Sequence, residues 1–270
     1  MIKYIDYTVA TLRPYINWLY FFHAWGLAGK PQIEKDRLRG EAEAMLDLFE
    51  TRYATHAAFG LFEANSDGDD LLIGGTRLPM LRQQHPAGDG EPNLCMADFV
   101  RPLSSGVADR AGAFATTVDA AMERDFAADD YRRMLAQTLA DRLAEAAAEV
   151  LHEEVRRTLW GYAPDERLSV RELLREDFQG IRPAVGYPSL PDTSLNFLLD
   201  GLVGMKRIGI RLTESGAMKP HASVSGLMFA HPKARYFDVG KIDEVQLRDY
   251  ARRRHLPVEL VRRFLGGRVV

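Results

Sequence analysis

The stretch "AAFGLFEANSDGDDLLIGG", residues 57–75, decides the fold class. Two apolar-rich runs flank Asn65-Ser66-Asp67-Gly68, a combination that signals a hairpin turn. Strands joined by so short a connection run antiparallel, because a parallel pair needs a crossover of a dozen residues or more. Working outward, "LCMADFV" (94–100) fits a short buried strand, and "AGAFATTV" (111–118) fits another. Farther along, "IGIRLTES" (208–215), "ASVSGLMFA" (222–230) and "ARYFDVG" (234–240) also read as strands.

Helices surround these runs. Residues 130–160 contain neither glycine nor proline, and Asp129 or Asp130 is placed to cap their start. Leu135, Leu139, Leu143, Ala146 and Val150 share one face of that helix, and Gly161 ends it. Residues 39–53 place Ala42, Met45, Leu46 and Phe49 on one side of another helix. Residues 12–27 are aromatic-rich, and Trp18, Phe22 and Trp25 at i, i+4, i+7 read as a core-packing stripe. "SVRE" (169–172) is a capping box. Further helices are expected over 193–202, 243–254 and 257–265. Without regular βαβ alternation, the order predicts an α+β fold: a single domain over 1–270, with a mixed, mainly antiparallel sheet flanked by long helices.

Composition narrows the function. The chain has 270 residues, 46% hydrophobic and 27% charged, with a formal net charge of −3. No global basic field argues for nucleic acid, and basic clusters such as Arg252-Arg253-Arg254 sit among carboxylates. No apolar run reaches the ~18 residues of a membrane span, and the N-terminus lacks the layout of a signal peptide. The lone Cys95 excludes an internal disulfide and a zinc site built on several cysteines, so the expected location is cytoplasmic. The chain has no dinucleotide fingerprint, no phosphate-binding glycine loop, no H-E-x-x-H and no G-x-S-x-G elbow. No catalytic residue and no metal site is expected.

One segment demands a different explanation. "FQGIRPAVGYPSLPD" (178–192) holds an arginine among three prolines and two glycines. Arg182 there suits either an anionic ligand or a neighbouring carboxylate that ties the loop.

Four ordered segments carry a resemblance: "NLCMADF" (93–99), "LADRLAEAAAE" (139–149), "REDFQGIRPAVGYPSLPD" (175–192) and "RLTESGAMKPHASVSGLMFAHPKARYFDVGKI" (211–242). Together with "LRPYINWLYFFHAWGLAGK" near the start and "DYARRRHLPVELVRRFL" near the end, they resemble the activation domain of cobalamin-dependent methionine synthase. The resemblance implies a module that binds S-adenosylmethionine and docks over cobalamin held by a partner domain or subunit. When cob(I)alamin has been oxidised to cob(II)alamin, flavodoxin or a flavin reductase supplies one electron and S-adenosylmethionine supplies the methyl group. Such a module does not convert homocysteine on its own, and it needs no general base.

Carried over residue by residue, the resemblance implies that Arg182 takes the ligand carboxylate and Asp98 its ammonium. Glu145 and Glu176 take the sulfonium or ribose, and a backbone group at Ala184 reads the adenine edge. Tyr187, Tyr236 and Phe237 pack on or bond to the ligand; Phe237 has no hydroxyl, which leaves stacking or backbone contact. Residues 217–225 are expected to face the corrin, with Lys219 standing where a tryptophan is common. The rival readings are a reactivase of another corrinoid methyltransferase and an S-adenosylmethionine sensor. Met1 favours a separate gene product over an excised fragment.

Overall fold

The computed structural model describes residues 1–86, 88 and 90–270. Strand β1 (Ile2–Tyr7) leads into helices α1 (Val9–Leu12), α2 (Trp18–Ala24) and α3 (Gln32–Glu50). Strands β2 (Thr55–Asp67), β3 (Asp70–Ile73), β4 (Thr76–Pro79) and β5 (Asp109–Val118) follow. Helices α4 (Ala120–Arg124), α5 (Asp130–Glu154), α6 (Val170–Leu173) and α7 (Leu195–Val203) come next. The chain ends with β6 (Arg211–Leu212), β7 (Met218–Lys219), β8 (Ser223–Met228), α8 (Glu244–Arg254) and α9 (Val258–Leu265).

The hairpin in residues 57–75 forms the heart of the sheet. Asn65, Ser66 and Asp67 remain in β2, and the turn tightens to Gly68-Asp69, with Asp67 paired to Asp70 and Gly68 at φ +60°. The main sheet runs β4-β3-β2-β5-β8, and β1 pairs with the first half of β2. Every pairing between named strands is antiparallel, so the expected mixture reduces to the isolated parallel bridges of Ser66 with Pro102 and Ile242 with Val269.

Both faces of this sheet are covered, which explains why β5 is buried along nearly its whole length. Phe114 and Val118 point into a core built with α2, α3 and α5. Ala111, Ala113 and Ala115 point the other way, into a core built with α7 and the turn around Phe99. Their small side chains let α7 approach closely. Thr116 adds a directional tie, donating its hydroxyl to the Ala144 carbonyl of α5 at 2.9 Å. A third cluster, with Leu247, Tyr250, Val261 and Leu265, packs the C-terminal helices against Leu81 and Ile242. No helix among the described residues is long and apolar enough to cross a membrane.

Several local expectations change. Residues 94–100 form no strand: Met96–Phe99 is a 3-10 turn. Its cause is local, since the Asp98 carboxylate accepts from the Cys95 N–H at 2.8 Å and so competes with any ladder. Residues 234–240 are irregular, because Val239 N–H goes to the Pro188 carbonyl and Phe237 N–H to the Ser189 hydroxyl. Of residues 208–215 only Arg211–Leu212 pairs, after a 3-10 turn that ends at Gly209, φ +90°. The strand Ile2–Tyr7 escaped sequence reading. In α2 the fully buried ring is Phe21, while Trp18, Phe22 and Trp25 pack part-exposed beside it. Helix α5 begins at its expected cap, with the Asp129 carboxylate accepting from the Arg132 N–H, but widens into a π turn over Val155–Leu159.

Candidate functional site

The proline-glycine loop continues the sheet beyond β8. Ile181 and Phe229 exchange backbone hydrogen bonds at 2.9 and 3.0 Å, Leu227 N–H donates to the Pro183 carbonyl, and Val185 N–H donates to the Ser225 carbonyl. Pro183 is tolerated because this strand-like run lies at the edge and contributes only its carbonyl there. In this register the N–H groups of Arg182 and Ala184 face away from β8. Gly226 makes the approach possible, since a Cβ there would lie 2.1 Å from the Pro183 oxygen. Gly180 (φ +86°) has the same role at the other end, where a Cβ would sit 2.4 Å from the Phe229 oxygen.

Between this loop, α5 and residues 236–238 lies a cavity of about 750 Å³. That volume falls within the roughly 300–1,000 Å³ typical of small-molecule sites. Of the eight residues singled out from sequence, Glu145, Glu176, Arg182, Ala184, Tyr187, Tyr236 and Phe237 line it together. They come from three separate segments of chain, 139–149, 175–192 and 211–242.

Arg182 is the central cation. Its side chain is 10% exposed, and Nη2 donates to Glu149 Oε1 on α5. The carboxylate that ties the loop is therefore real, and it lies inside the cavity wall. Burial works against the Arg182 charge, but Glu149, Tyr236, Glu145 and Glu176 outweigh it and raise its pKa. Burial also pushes Glu149 above the ordinary carboxylate range, with Arg182 pulling the other way. The Arg182 N–H donates to Tyr236 Oη at 3.0 Å.

Glu145 stands one turn before Glu149 on the same face of α5. The Tyr187 hydroxyl donates to its Oε1 at 3.1 Å. The Glu145 charge and then burial push the Tyr187 phenol up to about 12, and burial does the same for Tyr236. Both phenols therefore stay protonated at neutral pH and act as hydrogen-bonding groups. Glu176 is exposed at the rim and holds φ +60°, a left-handed conformation uncommon for a side-chain-bearing residue. Phe237 packs its ring between two of the cores while its backbone meets Ser189.

Asp98 is placed elsewhere. It lies outside this lining, and its carboxylate takes a two-pronged bond from Arg82 at 2.8 and 2.7 Å. Arg82 also reaches Asp69 and the Asn93 carbonyl, so Asp98 belongs to a network that fastens the 3-10 turn to the β3 side of the sheet.

Sequence reading missed Glu149, Asn17, Tyr15, Tyr20 and Arg142, which also line the cavity. A signal existed for Glu149, four residues after Glu145 on one helix face. Asn17 caps α2, accepting from Leu19 N–H at 3.2 Å, which fixes the aromatic segment against the cavity mouth. The lining carries Glu145, Glu149, Glu176 and Asp238 against Arg142 and Arg182, an acidic excess. Such a wall favours a ligand that brings positive charge along with a carboxylate. Among the described residues no cluster of His, Cys, Asp and Glu is arranged to hold a metal ion.

Residues 8–255 match the family described as vitamin B12 dependent methionine synthase, activation domain. A crystal structure of the MetH reactivation domain bound to AdoHcy superposes with a TM-score of 0.94 at 42% sequence identity. That similarity covers 100% of this chain and 90% of the other. With the match running through both the loop at 181–190 and the helix that faces it, the chain belongs to the activation-domain family of vitamin B12-dependent methionine synthases.

Proposed function

We propose that this domain binds S-adenosylmethionine in the cavity between α5 and residues 181–190, and presents its methyl group to cobalamin carried by another part of methionine synthase. The observation that carries the reading is the convergence of Arg182, Glu145, Glu176, Tyr187 and Tyr236 on one cavity of suitable size. Arg182 holds the ligand carboxylate, and the outward N–H of Ala184 bonds the adenine edge. Glu145 and Glu176 face the sulfonium and ribose, while Tyr187, Tyr236 and Phe237 enclose the nucleoside. The AdoHcy carried by the similar reactivation domain is the demethylated counterpart of this ligand.

The bound sulfonium supplies a methyl group that, with one electron from flavodoxin or a flavin reductase, converts cob(II)alamin to methylcobalamin and leaves a neutral thioether. This chain orients the donor and excludes water, and no proton needs to move. Residues 217–225 suit the docking face: Val224 lines the cavity, while the His221 side chain projects with 92% exposure. A cytoplasmic setting agrees with the buried, unpaired Cys95, whose thiol is pushed up to about 12 by burial.

The test is a calorimetric titration with S-adenosylmethionine of the wild type and Arg182→Ala. Binding that weakens at least ~100-fold in the variant supports the site, as expected for losing a charge-assisted fork. Equal binding by both proteins places the ligand elsewhere. A reactivation assay with cob(II)alamin-loaded methionine synthase lacking its own activation domain then tests the partner.

A further inference from the structure

A second cavity, of about 490 Å³, lies between α7 and the C-terminal helices and shares no lining residue with the first. It originates in the turn between α8 and α9. His255 caps α8 in the left-handed conformation, φ +54°, and the chain turns there so that α9 packs against α8. Val261 and Leu265 of α9 enter the core. Leu260 and Phe264, one position before each, lie on the neighbouring face and line the cavity. Leu256 and, from α7, Phe197 and Leu198 complete the apolar wall, with Phe197 44% exposed.

The arginines of the lining are not equivalent. Arg77 is engaged by Asp67 and Asp70, and Arg253 by Asp70, Asp249 and the Met80 carbonyl. Arg254 keeps a free nitrogen. Its side chain is 5% exposed, Nε stands 3.5 Å from Asp192 Oδ2, and Nη2 donates to Ser194 Oγ at 2.7 Å. Nη1 meets no acceptor among the described residues, and it is not sealed off, since the buried unpartnered atom of this side chain is Nε. A guanidinium fixed by Asp192 and Ser194 thus leaves its accessible donor to the cavity that Arg254 lines.

We infer that this cavity binds a small apolar carboxylate, with Arg254 Nη1 holding the carboxylate and Phe197, Leu256, Leu260 and Phe264 covering the apolar body. The volume falls within the range of small-molecule sites, and a mostly apolar wall with a few placed polar groups is their usual make-up. A carboxylate accepts charge-assisted hydrogen bonds from a guanidinium, and the apolar lining gains by losing water to an apolar body. A dianion such as a phosphate is disfavoured. Glu214 also lines the cavity, Asp192 lies against Arg254, and a second negative charge finds no further free arginine or lysine in the lining. The site is separate from the S-adenosylmethionine reading and does not rest on it.

The probes are phenylacetate and its neutral amide, phenylacetamide, titrated into the whole chain and followed by backbone amide NMR. Shifts should gather on residues 197–198 and 254–264. The acid should bind about tenfold more tightly than the amide, the margin of a charge-assisted over a neutral hydrogen bond. In Arg254→Gln that margin should fall to about twofold or less. Arg254 also faces the buried Asp192, so Leu260→Glu, at a part-exposed wall position, supplies a second arm that spares that pair. Its added carboxylate should weaken the acid by about tenfold and leave the amide within about threefold. Thermal unfolding checks both folds. Equal binding of acid and amide by the wild type, shifts confined to the first cavity, or no binding up to about 10 mM would each overturn the inference. A margin undiminished in folded Arg254→Gln or in Leu260→Glu would overturn it as well.

Discussion

The backbone N–H of Arg182 donates to the phenolic oxygen of Tyr236 at 3.0 Å, joining residues 54 apart in sequence. That bond links the edge-strand loop to residues 236–238, the two walls that close the cavity opposite α5. The Tyr236 side chain therefore acts on the cavity twice, as a lining surface and as the fastener of the loop that carries the central cation.

Tyr236→Phe should separate those roles. The ring surface remains, but the Arg182 N–H loses its acceptor. We expect a stability loss of about 0.5–1.5 kcal/mol, the net value of one such hydrogen bond. At roughly 2–4 °C per kcal/mol this is a readable fall in melting temperature. Affinity for S-adenosylmethionine should fall as well, because the loop gains freedom that ligand binding must then remove. Unaltered melting with unaltered affinity would mean that the bond contributes to neither.

Gly226→Ala should open the loop from the sheet. The added Cβ meets the Pro183 oxygen at 2.1 Å and the Ala184 Cα at 2.9 Å, and backbone cannot swing aside as a flexible side chain can. The expected cost is about 1–3 kcal/mol, with loss of ligand binding, because Ala184 and Arg182 move with the displaced strand. Gly40→Ala is the contrasting case. Gly40 lies inside α3 with nothing within 4 Å of an added Cβ, so alanine should stabilise by about 0.5–1 kcal/mol and leave binding intact. Differential scanning calorimetry with a ligand titration checks both.

Asp98→Asn should affect the scaffold and spare the ligand. The carboxylate lies outside the cavity lining, held by Arg82 and the Cys95 N–H. Both groups are about one-third exposed, so solvent screening limits the loss to about 1 kcal/mol. Affinity for S-adenosylmethionine should stay within about twofold. A loss comparable to that of Arg182→Ala would return Asp98 to the ligand set.

The Asp98 case also shows where sequence reading stops. A carboxylate in an apolar run announces a partner, but it does not say which one. Arg82 is sixteen residues away and became the partner only because the chain beyond β4 bridges to Cys95 at the start of the 3-10 turn. The hairpin at 57–75, the cap and stripe of α5 and the paired C-terminal helices were legible because their signals are local: turn chemistry, capping and periodicity. Residues 234–240 alternate like a strand, yet their backbone partners lie on the distant loop around Ser189. Strand Ile2–Tyr7 carries too short a pattern to announce itself, and its pairing partner begins nearly fifty residues later. Arg182 stood out locally, whereas Glu149, its counterion, required the juxtaposition of α5 with the loop.

His152 carries a prediction about acid. Its side chain is fully buried on α5, Nδ1 has no partner among the described residues, and Nε2 meets the Tyr162 hydroxyl at 3.3 Å. Burial, with Arg182 and Arg156 nearby, holds the imidazole well below its ordinary pKa of 6.5. The folded state therefore binds fewer protons here than the unfolded chain does below pH 6.5, and this contribution to stability is lost as pH falls from there. His56 behaves in the opposite sense, since Asp6 and Asp119 outweigh its burial and raise its pKa, so its contribution fades as pH rises. The two are separated by variant. Between about pH 6.5 and about pH 5, wild type should lose stability relative to His152→Gln as pH falls, with a slope that steepens toward a limit of about 1.4 kcal/mol per pH unit. Urea unfolding across that interval measures the slope. A constant difference between the two proteins would show that His152 takes up a proton in the folded state as readily as in the unfolded chain.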